Sequence, residues 1–282
     1  MKSKDRALFA YYLEQSDQTD MEGRITAQAI ISERRKMHIM TKDDLVSADE
    51  IKAALRWAKN SAPGPDGIRY EDIGKLSEVE LEELTKVYNN SIKNATIAEE
   101  WLHSYLIPLP KPGRDQSKIQ SYRIITMQNT IGKLLEKVIA RKISCQLENL
   151  HLLPPTLGGY RLNRETWSNA AVFAHDVYEG FHSGFETVAA AIDLEDAYNR
   201  VPLDFLFRQL SELKISPVIL NWIYAALFQR KVVFKCGSWA SAPTIIHPGL
   251  PQGSPLSPIL FNAYTVSNRQ SDCRAWQNIV LC

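Results

Sequence analysis

Ten consecutive residues constrain this chain more than any other stretch: Gly249-Leu250-Pro251-Gln252-Gly253-Ser254-Pro255-Leu256-Ser257-Pro258. Two glycines and three prolines in that span forbid regular structure until the Ile259-Leu260-Phe261-Asn262 run begins. The pattern predicts a rigid turn from a strand into a helix. In it Gly253 lets the backbone approach a ligand closely, and Ser254 or Ser257 caps the helix.

Composition sets the frame for that turn. The chain has 282 residues, 45% of them hydrophobic, enough to build a core for one large domain or two small ones. With 33 Lys+Arg against 32 Asp+Glu the net charge is only +1, so any case for a nucleic-acid partner must be local. Cys145, Cys236, Cys273 and Cys282 form no CxxC pair, which argues against a zinc site or a disulfide framework and for a reducing compartment. Charged residues follow Met1, and no run approaches the roughly 18 apolar residues of a membrane span. These features predict an intracellular protein of the cytoplasm or nucleus, without secretion or membrane signals. No internal repeat suggests a solenoid.

Residues 1–46 are polar and weakly periodic, and read as a linker or a peripheral helical arm. Ser47 and Glu50 have capping-box spacing, and Ile51, Ala54, Leu55 and Ala58 then recur at helical period. Pro63-Gly64-Pro65-Asp66-Gly67 ends that helix. Ser77 and Glu80 open a second one, with Leu81, Leu84, Val87, Tyr88 and Ile92 on its apolar face. Tyr105 to Leu109 reads as a strand entering a turn at Lys111-Pro112-Gly113, and Tyr122 to Thr126 as its hairpin partner. A long amphipathic helix follows, with Ile131, Leu134, Leu135, Val138, Ile139 and Ile143 facing the core. Between Lys111 and Lys142 basic residues far outnumber acidic ones; this is either a phosphate-facing patch or a solvated lysine face.

Val188 to Ile192 is a continuous apolar run, compatible with a strand buried on both faces or with a helix. Asp193-Leu194-Glu195-Asp196 follows it directly. Carboxylates at the end of a buried strand are costly unless paired or metal-bound, so this is a site candidate. Helices are expected at about 203–213 and 217–230, and a hairpin over 232–246 turning near Gly237-Ser238.

The Gly249 to Pro258 string resembles the palm motif of reverse transcriptases, especially those of non-long-terminal-repeat, jockey-like retrotransposons. Further motifs occur in the family's order. Asn60 to Ile68 is similar to its fingers signature; Ile107 to Gly113, Ser121-Tyr122-Arg123 and Thr130 to Lys137 to the hairpin and helix that follow. Gly159-Tyr160-Arg161 with Arg164 resembles the next block, and Ala191 to Leu194 with Ala197-Tyr198 the metal-binding motif. The resemblance covers about residues 50–265.

It implies an α+β right-hand polymerase fold, with an arm or linker at 1–46, fingers at 47–185, an incomplete palm at 186–266 and a divergent tail at 267–282. The implied chemistry is RNA-templated DNA synthesis by nucleotidyl transfer with two Mg2+ ions, on an RNA template, a DNA primer and deoxynucleoside triphosphates. Asp193 would be a catalytic metal ligand, with the backbone carbonyl of Leu194 beside it. Tyr198 would lie beneath the incoming sugar and exclude a 2′-hydroxyl. Lys111 and Arg123 would grip the triphosphate, and Gln252 and Gly253 would line the template side of the nascent pair. Glu195 and Asp196 would face solvent or cap the next helix.

Departures from the family pattern are Ile124 in place of proline, Asn199 in place of aspartate and Leu162-Asn163 in place of Pro-Gly. Beyond the Gln252-Gly253-Ser254 motif the 282 residues contain no adjacent Asp-Asp pair, so truncation and an inactive chain are expected. A non-catalytic retroelement remnant with residual nucleic-acid or partner binding is the alternative. An RNA-directed RNA polymerase is disfavoured by Tyr198, since such an enzyme must admit the 2′-hydroxyl.

Overall fold

The computed structural model describes residues 2–16, 21–59, 62–194, 196–228, 230–245 and 249–267. In chain order these form α1 (Lys2–Ser16), α2 (Met21–Met37), α3 (Ala48–Arg56), α4 (Tyr70–Ile73), α5 (Glu78–Asn94) and α6 (Glu99–Leu102). Then come β1 (His103–Pro110), β2 (Tyr122–Gln128), α7 (Thr130–Asn149), α8 (Thr166–His182), α9 (Leu203–Glu212) and α10 (Pro217–Phe228). The last are β3 (Lys231–Cys236), β4 (Trp239–Ala240), β5 (Thr244–Ile245) and α11 (Leu256–Ser267). The fold is mixed α+β with one sheet, ordered β2-β1-β3-β4, with β5 also paired to β3.

Both expected capping boxes form. Ser47 Oγ accepts from the Glu50 amide at 3.2 Å and Ser77 Oγ from that of Glu80 at 3.3 Å. The caps set the phase of α3 and α5, so Ile51, Ala54, Leu81, Tyr88 and Ile92 are buried against Leu134, Leu135, Val138 and Ile139 of α7. Val87, expected on the apolar face, is about half exposed instead. α10 is apolar except for Asn221, and all of its residues but Asn221 and Tyr224 are buried. Its Trp222 satisfies the indole N–H on Ser91 Oγ at 2.9 Å.

The segment 62–68 closes onto the start of α7. Asp66 accepts from the Thr130 amide at 3.0 Å, while Asn129 Oδ1 accepts from the Asp66 amide at 2.9 Å. A side chain on Gly64 would lie 2.1 Å from the carbonyl oxygen of Gln128, so only glycine admits this approach. Asn60 and Ser61 of the same motif lie outside the described residues.

Residues 1–46 do more than link. Leu8 and Tyr12 of α1 are buried with Leu106, Val232 and Phe234 on one face of the sheet. α2 packs on α9 and α10, and Arg34 donates to the carbonyl of Ser211 at 2.9 Å, at the C-terminal end of α9 where the Lys214 amide also donates to that carbonyl.

One expectation is overturned. Residues 185–194 form neither strand nor helix and are exposed throughout; Val188 is 94% and Ile192 71% accessible. A strand requires a neighbouring edge to take its backbone hydrogen bonds, and no described strand pairs with this segment. α8, just before it, exposes Trp167, Phe173, Tyr178 and Phe181.

Candidate functional site

Lys111 and Arg123 come from the two sides of the β1–β2 turn. The strands pair antiparallel with Leu109 opposite Arg123, and the Lys111 amide continues the ladder by donating to the Ser121 carbonyl at 2.8 Å. In this register Lys111 and Arg123 are diagonal neighbours on one face of the hairpin. Arg123 is exposed, and the Lys111 ammonium also donates to the Gln120 carbonyl at 2.9 Å.

Gln252 and Gly253 join this hairpin. The Thr126 amide of β2 donates to the Gln252 carbonyl at 2.7 Å. Gly253 has φ +114°, and a Cβ there would lie 2.5 Å from the Thr126 carbonyl oxygen. The close backbone approach that the glycine permits is thus to β2. Ser254 supplies the helix cap, its Oγ accepting from the Leu256 amide at 3.1 Å, while Ser257 Oγ donates to the Pro251 carbonyl at 2.7 Å.

The same loop holds Tyr198 from its other end. The Leu250 amide donates to the Tyr198 carbonyl at 2.8 Å. The Tyr198 ring is half-buried, edge-on to Phe261 of α11 with centroids 5.3 Å apart. Burial first, and then a hydrogen bond with the Tyr160 hydroxyl, push its phenol up from the ordinary value. Tyr198, Gln252, Gly253, Arg123 and Lys111 are therefore stitched into one backbone-bonded unit.

Asp193 and Leu194 stand apart from it. Both are exposed in the irregular segment 185–194, and Glu195 lies outside the described residues. Asp196 is exposed, with a left-handed φ of 50°, and its carbonyl accepts from the Arg200 amide at 3.1 Å. Among the described residues no three His, Cys, Asp or Glu side chains come together as a metal would need. Asp193 with a neighbouring carbonyl falls short of the octahedral oxygen shell that Mg2+ demands.

Glu136 and Arg230 were not anticipated. Glu136 Oε1 accepts from Gln128 Nε2 at 2.6 Å and from the Arg230 guanidinium at 2.7 Å, while its Oε2 accepts from Ser254 Oγ. All four side chains are buried. The network ties β2, α7, the residue before β3 and the glycine-proline turn together. A signal was present in the sequence: Glu136 lies three residues before Ile139 and seven before Ile143, on the core face of its helix.

The basic excess between Lys111 and Lys142 is partly consumed by the fold. Lys142 pairs with Glu50 at 2.7 Å, and the Lys137 ammonium donates to the Trp57 carbonyl at 3.1 Å and lies 5.5 Å from the Tyr70 ring centre. Burial pushes the Lys133 ammonium down, with Glu136 opposing; burial and then Lys133 push Lys137 down. Burial, then Glu136, pushes the Tyr70 phenol up to about 12. No described helix is long and apolar enough to cross a membrane.

Residues 109–274 match the reverse transcriptase (RNA-dependent DNA polymerase) family. The probable RNA-directed DNA polymerase from transposon BS of Drosophila melanogaster is 24% identical over 221 residues, covering 78% of this chain and 24% of that protein. The RNA-directed DNA polymerase from mobile element jockey of Drosophila funebris is 25% identical over 223 residues, covering 79% and 24%. The retrovirus-related Pol polyprotein from type-1 retrotransposable element R2 of Popillia japonica is 25% identical over 223 residues, covering 77% and 29%. The chain thus spans about a quarter of the length of these relatives. It belongs to the reverse transcriptase (RNA-dependent DNA polymerase) family, in the branch encoded by non-long-terminal-repeat retrotransposons.

Proposed function

We propose that this chain forms the fingers (47–185) and first part of the palm (186–266) of a retrotransposon polymerase, with a packed arm at 1–46 and a divergent tail at 267–282. The reaction is RNA-templated extension of a DNA primer by deoxynucleoside triphosphates, with Mg2+ as the divalent ion. The observation that carries the reading is the stitching of the Gln252-Gly253 loop to β2 at one end and to Tyr198 at the other.

That arrangement suits a nucleotide. Arg123 offers the triphosphate a planar fork of donors and Lys111 a mobile point charge on the same face. Half-buried Tyr198 presents a ring edge where a 2′-hydroxyl would clash, and Gln252 faces the nascent pair from a loop that cannot shift without breaking β2. Asp193 is the metal-binding carboxylate.

The chain by itself is inactive in this reading. One aspartate cannot hold two Mg2+ ions about 4 Å apart, and Asp193 lies on an unsupported segment. Primer extension on an RNA template tests this: the 282-residue chain should incorporate nothing above background. The same chain continued by a family-like palm completion and thumb should extend the primer, and Asp193→Asn should abolish that activity. Incorporation by the chain alone, lost on Asp193→Asn, would overturn the reading.

A further inference from the structure

α8 rests on the rest of the chain along one side. Asn169 is buried there, and a side chain on Gly158 would lie 2.3 Å from its amide, so the two segments meet with no room between them. About three turns further along, Gly180 stands on the same side of the helix. A Cβ on it would lie 2.7 Å from Thr187 Oγ1, because the chain leaving α8 folds back here and the Phe185 amide donates to the Gly180 carbonyl at 2.8 Å.

Another side of the helix carries a different pattern. Trp167, Ala171, Ala174, Tyr178 and Phe181 recur at spacings of four, three, four and three, the 3.5-residue seam of helices that pair along their length. All five are exposed, Trp167 by 67%, Tyr178 by 69% and Phe181 by 62%. Single apolar residues on a surface need no explanation, but a continuous stripe marks a contact. Asp176 and Glu179 stand off the seam and α8 contains no lysine or arginine, so covering the stripe desolvates no charge.

We propose that this seam is an interface between two copies of the chain, packed as an antiparallel helix pair about a two-fold axis. The order of side-chain sizes fits that arrangement. Trp167 faces the partner's Tyr178 and Ala171 faces the partner's Ala174, so alanines at the centre let the helix axes approach and aromatic rings at both ends close over them. Antiparallel helix dipoles attract, whereas a parallel pair sets them in opposition. The area suffices as well. With aromatic side chains covering roughly 150–250 Å² each, the seam and the neighbouring Phe173 offer on the order of 700 Å² per copy, close to the roughly 800 Å² that each partner of a standard interface buries.

Sedimentation equilibrium of the full 282-residue chain tests the pair. The average mass should rise from 32.0 kDa to twice that value with increasing concentration, and go no further. Ala174→Glu keeps a good helix former in α8 but sets a carboxylate against the partner's Ala171. It should weaken dimerisation by about tenfold or more and leave the urea midpoint of the dilute monomer unchanged. Ala171→Lys should act likewise. Combined in one chain, the two substitutions put an ammonium opposite a carboxylate in both central layers of an antiparallel pair, and should recover part of the affinity that either loses alone; in a parallel pair they would meet like charges. A chain that stays monomeric, association indifferent to Ala174→Glu, or a double variant weaker than both single ones overturns the proposal. So does growth past the dimer, which marks open-ended aggregation, and so does capture by phosphatidylcholine vesicles in place of dimerisation, which marks a helix that faces a membrane surface.

Discussion

The amide of Thr126 donates to the carbonyl of Gln252 across 2.7 Å, making the glycine-proline loop an extra rung on β2. The hairpin that carries Lys111 and Arg123 and the loop that bonds Tyr198 are thus joined through their backbones. Nothing in either segment taken separately announces this pairing, because it joins residues more than a hundred positions apart.

Gly253→Ala should break that rung. A Cβ would press on the Thr126 carbonyl at 2.5 Å, and φ +114° is strained for alanine. A loss of at least about 1–3 kcal/mol is expected in urea unfolding, together with loss of nucleotide affinity. A variant as stable as wild type would mean that the loop does not pack as described.

Removing one partner of the buried Glu136–Arg230 pair should cost more than removing both. Glu136→Ala leaves the Arg230 guanidinium buried and uncompensated, and about 3–5 kcal/mol should be lost. The double replacement of Glu136 and Arg230 by methionine should recover most of it. Equal losses in the single and double variants, read from denaturant midpoints, would contradict the network.

The Glu148–Arg161 pair predicts a particular acid response. The hydrogen bond from Arg161, against a smaller opposing effect of burial, holds the Glu148 carboxyl below its ordinary value of 4.5. A carboxyl with a depressed folded value contributes stability that is fully present above pH 4.5 and fades as pH falls through the folded value. The stability gap between wild type and Glu148→Gln should therefore be constant near neutrality and close in acid. A gap independent of pH down to the folded value would exclude the pair as its source.

Arg123→Ala should weaken triphosphate binding by about 1.5–3 kcal/mol, with Arg123→Lys restoring only part of it. Affinity for an RNA–DNA duplex should fall between low and physiological salt. The slope should reflect fewer cations than the sequence between Lys111 and Lys142 contains, since Lys142 and Lys137 are already engaged. Binding indifferent to salt would leave the hairpin without an electrostatic role.

Brief chymotrypsin treatment should cut first within 185–194, at Phe185 or Leu194, where exposed residues lack regular backbone pairing. The same apolar exposure, with that of α8, should make the chain prone to self-association, visible by light scattering. First cleavage in α10 or β1 instead would argue against the exposure described.

What the sequence determined by itself was local. Ser47 with Glu50 and Ser77 with Glu80 start their helices, because a cap and its reciprocal partner lie three residues apart whatever the rest of the chain does. The turn at Gly237-Ser238, the β1–β2 pairing and the helix after Pro255 are set by residues close in sequence. Motif order carried the family for the same reason: each motif is a short string. Tertiary structure alone decided where distant backbone groups find partners. It placed Glu136 on Gln128, Arg230 and Ser254. The run Val188 to Ile192 has the composition of a buried strand and yet lies exposed. Side-chain preference offers a segment to a sheet, but hydrogen bonds to a neighbouring edge make it a strand, and that edge is never written in the segment itself.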